Sequence, residues 1–369
     1  MNIVLLSNHA WGTANRAGFH LLAESFAALG HRVTFVTTGL SLFSVLRRDA
    51  RLKTGRPLNR LVAESARLES YLHFTPLHPH TLVVGLLNRL AAPFVRRYAN
   101  YPLGAAEARL RAADVVFFES CSAVALVRRV KDLAPLAKLV YRASDVITRM
   151  RSLPPEMERV EREVLPLFDL VSVPTATMLT RFAGARRVVH RPHGVAVEAY
   201  DSATKSPYPA DGKRAVFVGM SDFDEKFLRI AAASFKDVQF HVIGPLPQTV
   251  EAQNVVYHGR MPFAATVPYV KFADVALGTL RSSSLEILRT LGTSLKMLQY
   301  RHCALPIVMP EAIDAPWPEG CFRYRFDDAA SIRAAFAAAL ASGRRPERAN
   351  DAADWKTVAK GMLEDLCSS

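Results

Sequence analysis

The chain has 369 residues, half of them hydrophobic, with a formal net charge of +13 and four cysteines. That length exceeds one ordinary core and predicts two domains. Cys121, Cys303, Cys321 and Cys367 lie far apart without a C-x-x-C pair, which argues against a zinc site or disulfide framework and suits a reducing cytoplasm.

The charge is lopsided. Residues 1–150 hold 20 Lys+Arg against 9 Asp+Glu, and residues 151–369 hold 27 against 25. The asymmetry points to an anionic partner for the first half (lipid, phosphate or nucleic acid) or to a solvated arginine-rich surface. The chain shows no helix-turn-helix, zinc-finger or aromatic RNA-binding signature, so no nucleic-acid partner is expected.

In chain order, Asn2–Ser7 reads as a first strand rather than a secretory leader, because no basic stretch precedes its short apolar run. Phe19, Leu22, Phe26 and Leu29 then recur at helical spacing, and Gly30 closes that helix. His31–Thr37, Asp114–Phe118, Lys138–Ala143, Leu170–Val173 and Val188–His190 read as strands. Helices are expected over Ser122–Leu133 and Pro154–Phe168. After a polar stretch the alternation restarts, with strands at Ala215–Val218, Gln239–Ile243, Asn254–Tyr257, Val275–Leu277 and Ile307–Met309. The alternation implies an α/β chain with mostly parallel, doubly wound sheets. The predicted boundaries are a first domain over 1–197, a linker over 198–213, a second domain over 214–350, and a segment 351–369 whose helix packs back toward the first domain.

Ser41–Leu110 stands apart. It is basic at Arg47, Arg48, Arg51, Lys53, Arg56 and Arg60, then apolar and aromatic through Tyr71, Phe74, Leu82–Leu87, Phe94, Tyr98 and Tyr101. Such a mixture suits an interfacial membrane contact, or an ordinary insertion packed on the sheet. The longest apolar stretch, Thr81–Val95, is broken by Asn88, Arg89 and Pro93. It is too short for the roughly 20 residues of a spanning helix.

Three segments could carry chemistry. Lys138–Asp145 is a β-prone run ending in an acid, and ligands of open α/β sheets bind at the carboxyl ends of strands. Asp145 there is either a general base or a helix cap. Ser294–Tyr300 follows a Gly-Thr loop, with Ser294 as a helix cap and Lys296, Gln299 and Tyr300 on one face. It is a seat for a diphosphate or a plain capped helix. Ala215–Ser221 is a buried strand ending in Gly219, where a phosphate could approach the backbone. Asp222-Phe223-Asp224 has a metal-binding spacing but is read as the start of the next helix, and His78-Pro79-His80 gives no fixed ligand geometry.

These segments together resemble the inverting glucuronosyltransferases of the xanthan-biosynthesis type. The resemblance runs from Asp114 to Pro310. It is carried by Val116–Val124, Ala137–Asp145, His193-Gly194-Val195, Lys236–Gly244 and Ser294–Tyr300, with Arg16, Ala17 and His20 nearer the start. It implies the GT-B fold, two facing Rossmann-like domains with a deep interdomain cleft. It implies Asp145 as catalytic base, and a nucleotide-sugar site of Gly219, Met220, Ser221, Arg260, Leu280, Arg281, Ser294, Leu295, Lys296 and Gln299. Arg16, His20, Glu119 and His193 are the acceptor and cleft candidates. Arg260 stands where the family has an acid, and Leu280, followed by Arg281, where it has an aromatic. The arginines suit an anionic donor sugar or a phosphate. The pair of glutamates eight residues apart that retaining relatives commonly carry before and within the phosphate-binding helix is absent: eight residues after Glu286 comes Ser294.

The resemblance further implies transfer of glucuronate from a UDP-sugar to a polyprenyl-diphosphate-linked glycan for exopolysaccharide synthesis. The expected location is the cytoplasmic face of the inner membrane, with an anionic lipid surface as partner. No cofactor and no metal are expected. The rival readings are a sugar-nucleotide epimerase of the same fold and a catalytically silent scaffold in a polysaccharide assembly complex.

Overall fold

The computed structural model describes residues 1–13, 16–81, 92–150, 152–314, 319–344 and 353–367. Two compact units form: residues 1–192 with 355–369, and residues 193–354.

The first unit is built on an eight-stranded sheet in the order β3-β4-β2-β1-β5-β6-β7-β8. Its strands are β1 (Asn2–Ser7), β2 (Arg32–Ser41), β3 (Leu61–Ser65), β4 (Leu68–Thr75), β5 (Val115–Glu119), β6 (Lys138–Arg142), β7 (Leu170–Val173) and β8 (Val188–His190). Every pairing is parallel except β3 with β4. The central strands are near-continuous apolar runs because helices cover both faces of a parallel sheet. β1 has β2 on one side and β5 on the other. The chain order therefore reverses there, and a crevice opens at the carboxyl ends of β1 and β5.

The β3–β4 hairpin went unread in the sequence. β4 pairs with β2 from Val33↔Leu68 to Ser41↔Thr75, with a register shift between Thr37 and Leu40. Tyr71 and Tyr98, read as membrane-facing candidates, are buried in the core of this unit. Aromatics buried there cannot also face lipid. Leu82–Leu87 lies outside the described residues, as does the side chain of Phe94.

The helix Trp355–Cys367 belongs to this unit and packs on the helix Gly18–Ala28. Trp355, Val358 and Met362 supply its buried stripe. Arg191 pairs with Asp365 at 2.8 Å.

The second unit carries a six-stranded, wholly parallel sheet in the order β11-β10-β9-β12-β13-β14. These are β9 (Lys213–Val218), β10 (Val238–Ile243), β11 (Val255–Gly259), β12 (Val275–Leu277), β13 (Ile307–Pro310) and β14 (Cys321–Tyr324). Counted from β9, the order is 3-2-1-4-5-6, that of a dinucleotide-binding sheet, and it reverses between β9 and β12. The expected linker is folded into this unit: Val197–Ser202 is helical, and Tyr200 and Tyr208 are anchored in its core. The chain passes between the units at Pro192–His193, ahead of the position its composition suggested.

Candidate functional site

In the first unit, the carboxyl ends of β1, β5 and β6 bring acids and hydroxyls together. Ser7, last in β1, donates its hydroxyl to the carboxylate of Glu119, last in β5. His9 Nε2 lies 3.6 Å from the other Glu119 oxygen. Glu119 is only 7% exposed, and burial pushes its pKa up. His9 and the Ser7 bond oppose that shift, and the charge of Asp145 adds to it.

Asp145 follows β6. Its backbone N–H donates to Ser120 Oγ at 3.4 Å, and its Oδ1 accepts from Val146 N–H at 3.0 Å. It does not cap the short helix Ile147–Arg149, whose cap position is Val146. Glu119 and Asp145 thus form a carboxylate pair in which the protein disfavours ionisation of the more buried member.

Two other candidates in this unit serve the fold. His20 Nδ1 accepts from the Ala17 N–H at 3.1 Å and so caps its own helix. Its ring stacks on Phe35 at 5.0 Å, and burial, with His9 nearby, pushes its pKa down to about 3. Arg16 pairs with Glu24.

In the second unit, glycines close three neighbouring strands: Gly219 follows β9, Gly244 follows β10 and Gly259 ends β11. Gly219 N–H donates to Ile243 O at 3.0 Å and Gly244 N–H to Gly259 O at 2.8 Å. A β-carbon on Gly244 would sit 1.8 Å from the carbonyl oxygen of Gly219. Side chains are therefore excluded, and the backbone is left open to a ligand.

The helix Leu295–His302 is tied to the same edge. Tyr300 Oη accepts from Val218 N–H at 2.9 Å, and Lys296 Nζ rests 4.6 Å from the Phe217 ring centroid. Burial pushes the Lys296 pKa down to about 8, while Asp222 partly opposes it. Ser294 occupies the helix N-cap position, yet its hydroxyl makes no cap bond. The hydroxyl oxygens of Ser294, Thr293 and Thr279 are all buried without a partner. Unpaired buried hydroxyls are rare because they cost free energy. Those of Thr293 and Ser294 stand at the N-terminus of the helix that carries Lys296, and with Thr279 they fit an oxyanion such as a diphosphate.

The remaining donor-side candidates divide. Met220 and Ser221 are exposed, and Gln299 lies on the lysine-bearing helix with Leu295. Arg260 is exposed just beyond β11. Leu280 corrects the sequence reading, since its side chain is 2% exposed within the core and offers a ligand no surface. Arg281 is already committed to Asp224 at 3.1 Å and Asp327 at 2.8 Å. Asp224 also caps the helix Glu225–Ser234 and accepts from Tyr324 Oη at 2.8 Å. These contacts account for the second acid of the Asp222-Phe223-Asp224 motif without a metal. His193 falls in the second unit, and the other acceptor candidates in the first.

A family model for the N-terminal domain of glucuronosyltransferase GumK matches residues 5–174. The UDP-glucuronate:glycolipid 2-beta-glucuronosyltransferase of Xanthomonas campestris pv. campestris is 31% identical over 363 residues, covering 98% of this chain and 89% of that protein. The chain belongs to the GumK family of glucuronosyltransferases.

Solved structures agree at the level of the fold. OtsA in its apo form aligns over 100% of both chains, with a TM-score of 0.64 and 12% identity. An Anabaena protein, HepE, in complex with UDP-glucose covers 100% of this chain and 99% of its own, with a TM-score of 0.57 and 14% identity. This GumK-family chain is therefore a GT-B glycosyltransferase with two Rossmann-like domains.

The sequence reading missed Arg142 in this GumK-family chain. It is 1% exposed and donates to Ser172 Oγ at 2.9 Å, Arg191 O at 2.5 Å and Pro192 O at 3.3 Å. Burial lowers its pKa to about 9, with Arg191 adding to the shift. It fixes the chain where it leaves the first unit, three residues before Asp145. Its only signal in the sequence was an arginine ending an apolar strand.

Proposed function

We propose that the protein transfers glucuronate from UDP-glucuronate to a hydroxyl of a lipid-linked glycan, inverting the anomeric carbon. The match along 98% of the chain to a UDP-glucuronate:glycolipid 2-beta-glucuronosyltransferase carries this reading. UDP-glucuronate is α-linked, so a β-linked product requires inversion.

Asp145 takes the proton of the acceptor hydroxyl. The oxygen bonds to the anomeric carbon as the bond to UDP breaks, and the electron pair leaves on the diphosphate. Burial, with the charge of Asp145 adding to it, raises the Glu119 pKa, which disfavours a second negative charge near the attacking oxygen. Lys296, the open glycine edge and the unpaired hydroxyls of Thr279, Thr293 and Ser294 bind the diphosphate and offset its growing charge. The mechanism calls on no metal.

The acceptor is a polyprenyl-diphosphate-linked glycan of exopolysaccharide synthesis, met at the cytoplasmic face of the inner membrane. Among the described residues no helix is long and apolar enough to cross a membrane. The short helix Leu42–Leu46 exposes Leu42 (61%), Val45 (54%) and Leu46 (83%), followed by exposed Arg47 and Arg48. That supports peripheral attachment of the first unit to an anionic surface.

The test is transfer of labelled glucuronate from UDP-glucuronate to lipid extracts, in the presence of a chelator, with the linkage read by NMR. A β-glucuronide is expected. An α-linked product would contradict inversion, and transfer that requires added metal would contradict the metal-free mechanism.

A further inference from the structure

Beside the carboxylate pair, at the ends of β1, β2 and β5, lies a cavity of about 180 Å³ that the mechanism above does not use. It is lined by Arg47, Arg51, His78, His80, Ser44 and Ser122, among others. A register shift in β2 shapes it. There Gly39 takes a φ of +68°, and a β-carbon on it would stand 2.7 Å from Ser122 Oγ. Thr38 Oγ1 reaches Ser7 O at 3.1 Å and Ser122 Oγ at 3.2 Å, which ties the cavity wall to the strand end that holds Glu119.

Asp49 also lines this cavity and is paired with Arg51 at 2.7 Å, which leaves Arg47 as the surplus charge. Arg51 is spent, since it donates to Asp49 and to the carbonyls of Asn8, Thr38 and Gly39. Arg47 donates to His80 Nε2 and has no carboxylate partner among the described residues. His78 Nδ1 is paired with Ser41 Oγ at 2.7 Å. Burial, then His80 and Arg51, push the His78 pKa down to about 4, with Arg47 adding a smaller contribution and Asp49 opposing. Burial, Arg47 and Arg51 lower that of His80. The wall therefore presents an unneutralised guanidinium beside two imidazoles whose protonation is held off first by burial and then by like charge. An anion would relieve that repulsion.

We infer that this cavity is a phosphate subsite, and that its ligand is the phosphate or diphosphate of the lipid-linked acceptor. The cavity supplies the cation and the hydroxyls that a phosphate needs. The same short helix places Phe43, Ser44 and the adjoining Arg47 on the cavity and turns Leu42, Val45 and Leu46 outward. Hydroxyl chemistry at Asp145, an anion pocket and an exposed apolar ridge are all borne by the first unit, matching the parts of a glycolipid diphosphate. This assignment rests on the proposed acceptor class, and its test is independent of turnover.

Inorganic pyrophosphate is titrated calorimetrically into the full chain with UDP present in excess, so that the donor site is filled. The UDP-saturated wild-type protein should bind one pyrophosphate. Arg47→Gln should weaken that binding about tenfold or more, the usual worth of a charge-assisted contact, and Arg47→Gln/His80→Gln should abolish it, with melting temperatures confirming that both variants fold. Absence of pyrophosphate binding to the UDP-saturated wild type would overturn the subsite, as would equal binding by the double variant. If the variants lose affinity for phosphatidylglycerol vesicles but keep pyrophosphate, the cations serve the lipid surface and the subsite is wrong. Failure of UDP to bind would count against the proposed donor, while the difference between wild type and variants would still read the cavity.

Discussion

A β-carbon on Gly219 would stand 2.7 Å from Lys296 Nζ and 2.6 Å from the Phe217 ring. The lysine is thus seated directly on the glycine that follows β9, and the two positions act as one feature. Gly219→Ala should push Lys296 out of place without unfolding the unit. Calorimetry with UDP should show affinity falling about tenfold or more, the usual loss when a charge-assisted contact is displaced. Unchanged affinity would separate the lysine from the diphosphate.

Lys296 is held in a site that favours its neutral form, so folding pays for its charge at neutral pH. Its folded pKa of about 8 lies below the ordinary lysine value of 10.5. That cost is therefore largest below pH 8 and fades as pH rises toward the unfolded value. Lys296→Met should raise the melting temperature of the ligand-free protein and lower UDP affinity. A variant that melts lower at pH 7 would show the lysine to be stabilising instead.

Acid should destabilise the first unit early. Burial pushes His73 down to about 4, and burial with His9 nearby pushes His20 to about 3, from 6.5 in each case. Below pH 6.5 the unfolded chain takes up protons that the folded chain refuses, so stability falls as pH falls toward those values. The loss is about 1.4 kcal/mol per pH unit for each group. Neither ring nitrogen of His73 is hydrogen-bonded. His73→Phe should flatten the slope between pH 6.5 and 4 in denaturant titrations, and an unchanged slope would remove His73 from the account.

Arg142→Met would leave the buried Ser172 hydroxyl and two part-buried carbonyls short of their donor. Unsatisfied groups of this kind cost about 1–3 kcal/mol each, so a loss of at least about 2 kcal/mol is expected in urea unfolding. A loss below about 0.5 kcal/mol, typical of a surface change, would mean that the arginine does not hold the chain at Pro192.

The parallel strands were legible because they are short apolar runs bounded by turns, as in Val115–Glu119 and Val275–Leu277. The β3–β4 hairpin was not. Its strands carry Glu64, Glu69 and Ser70, and its turn at Ala66-Arg67 lacks the glycine or asparagine that marks most hairpins. Asp145 and Lys296 could be singled out because strand ends and helix starts are where sheet proteins bind ligands. Leu280 and Arg281 could not be sorted, because core packing and pairing with Asp224 depend on residues far away in the chain. Ser294 took the position of a cap, but only the three-dimensional arrangement shows its hydroxyl unused.

The central claim is that Asp145 is the base. Its most direct test is the turnover of Asp145→Asn with UDP-glucuronate and a lipid-linked acceptor, alongside a UDP titration of the same variant. The account expects UDP affinity to persist and turnover to fall by at least roughly 10²-fold, the lower end of what general-base help supplies. Turnover within about tenfold of wild type would contradict it and leave proton removal to another group.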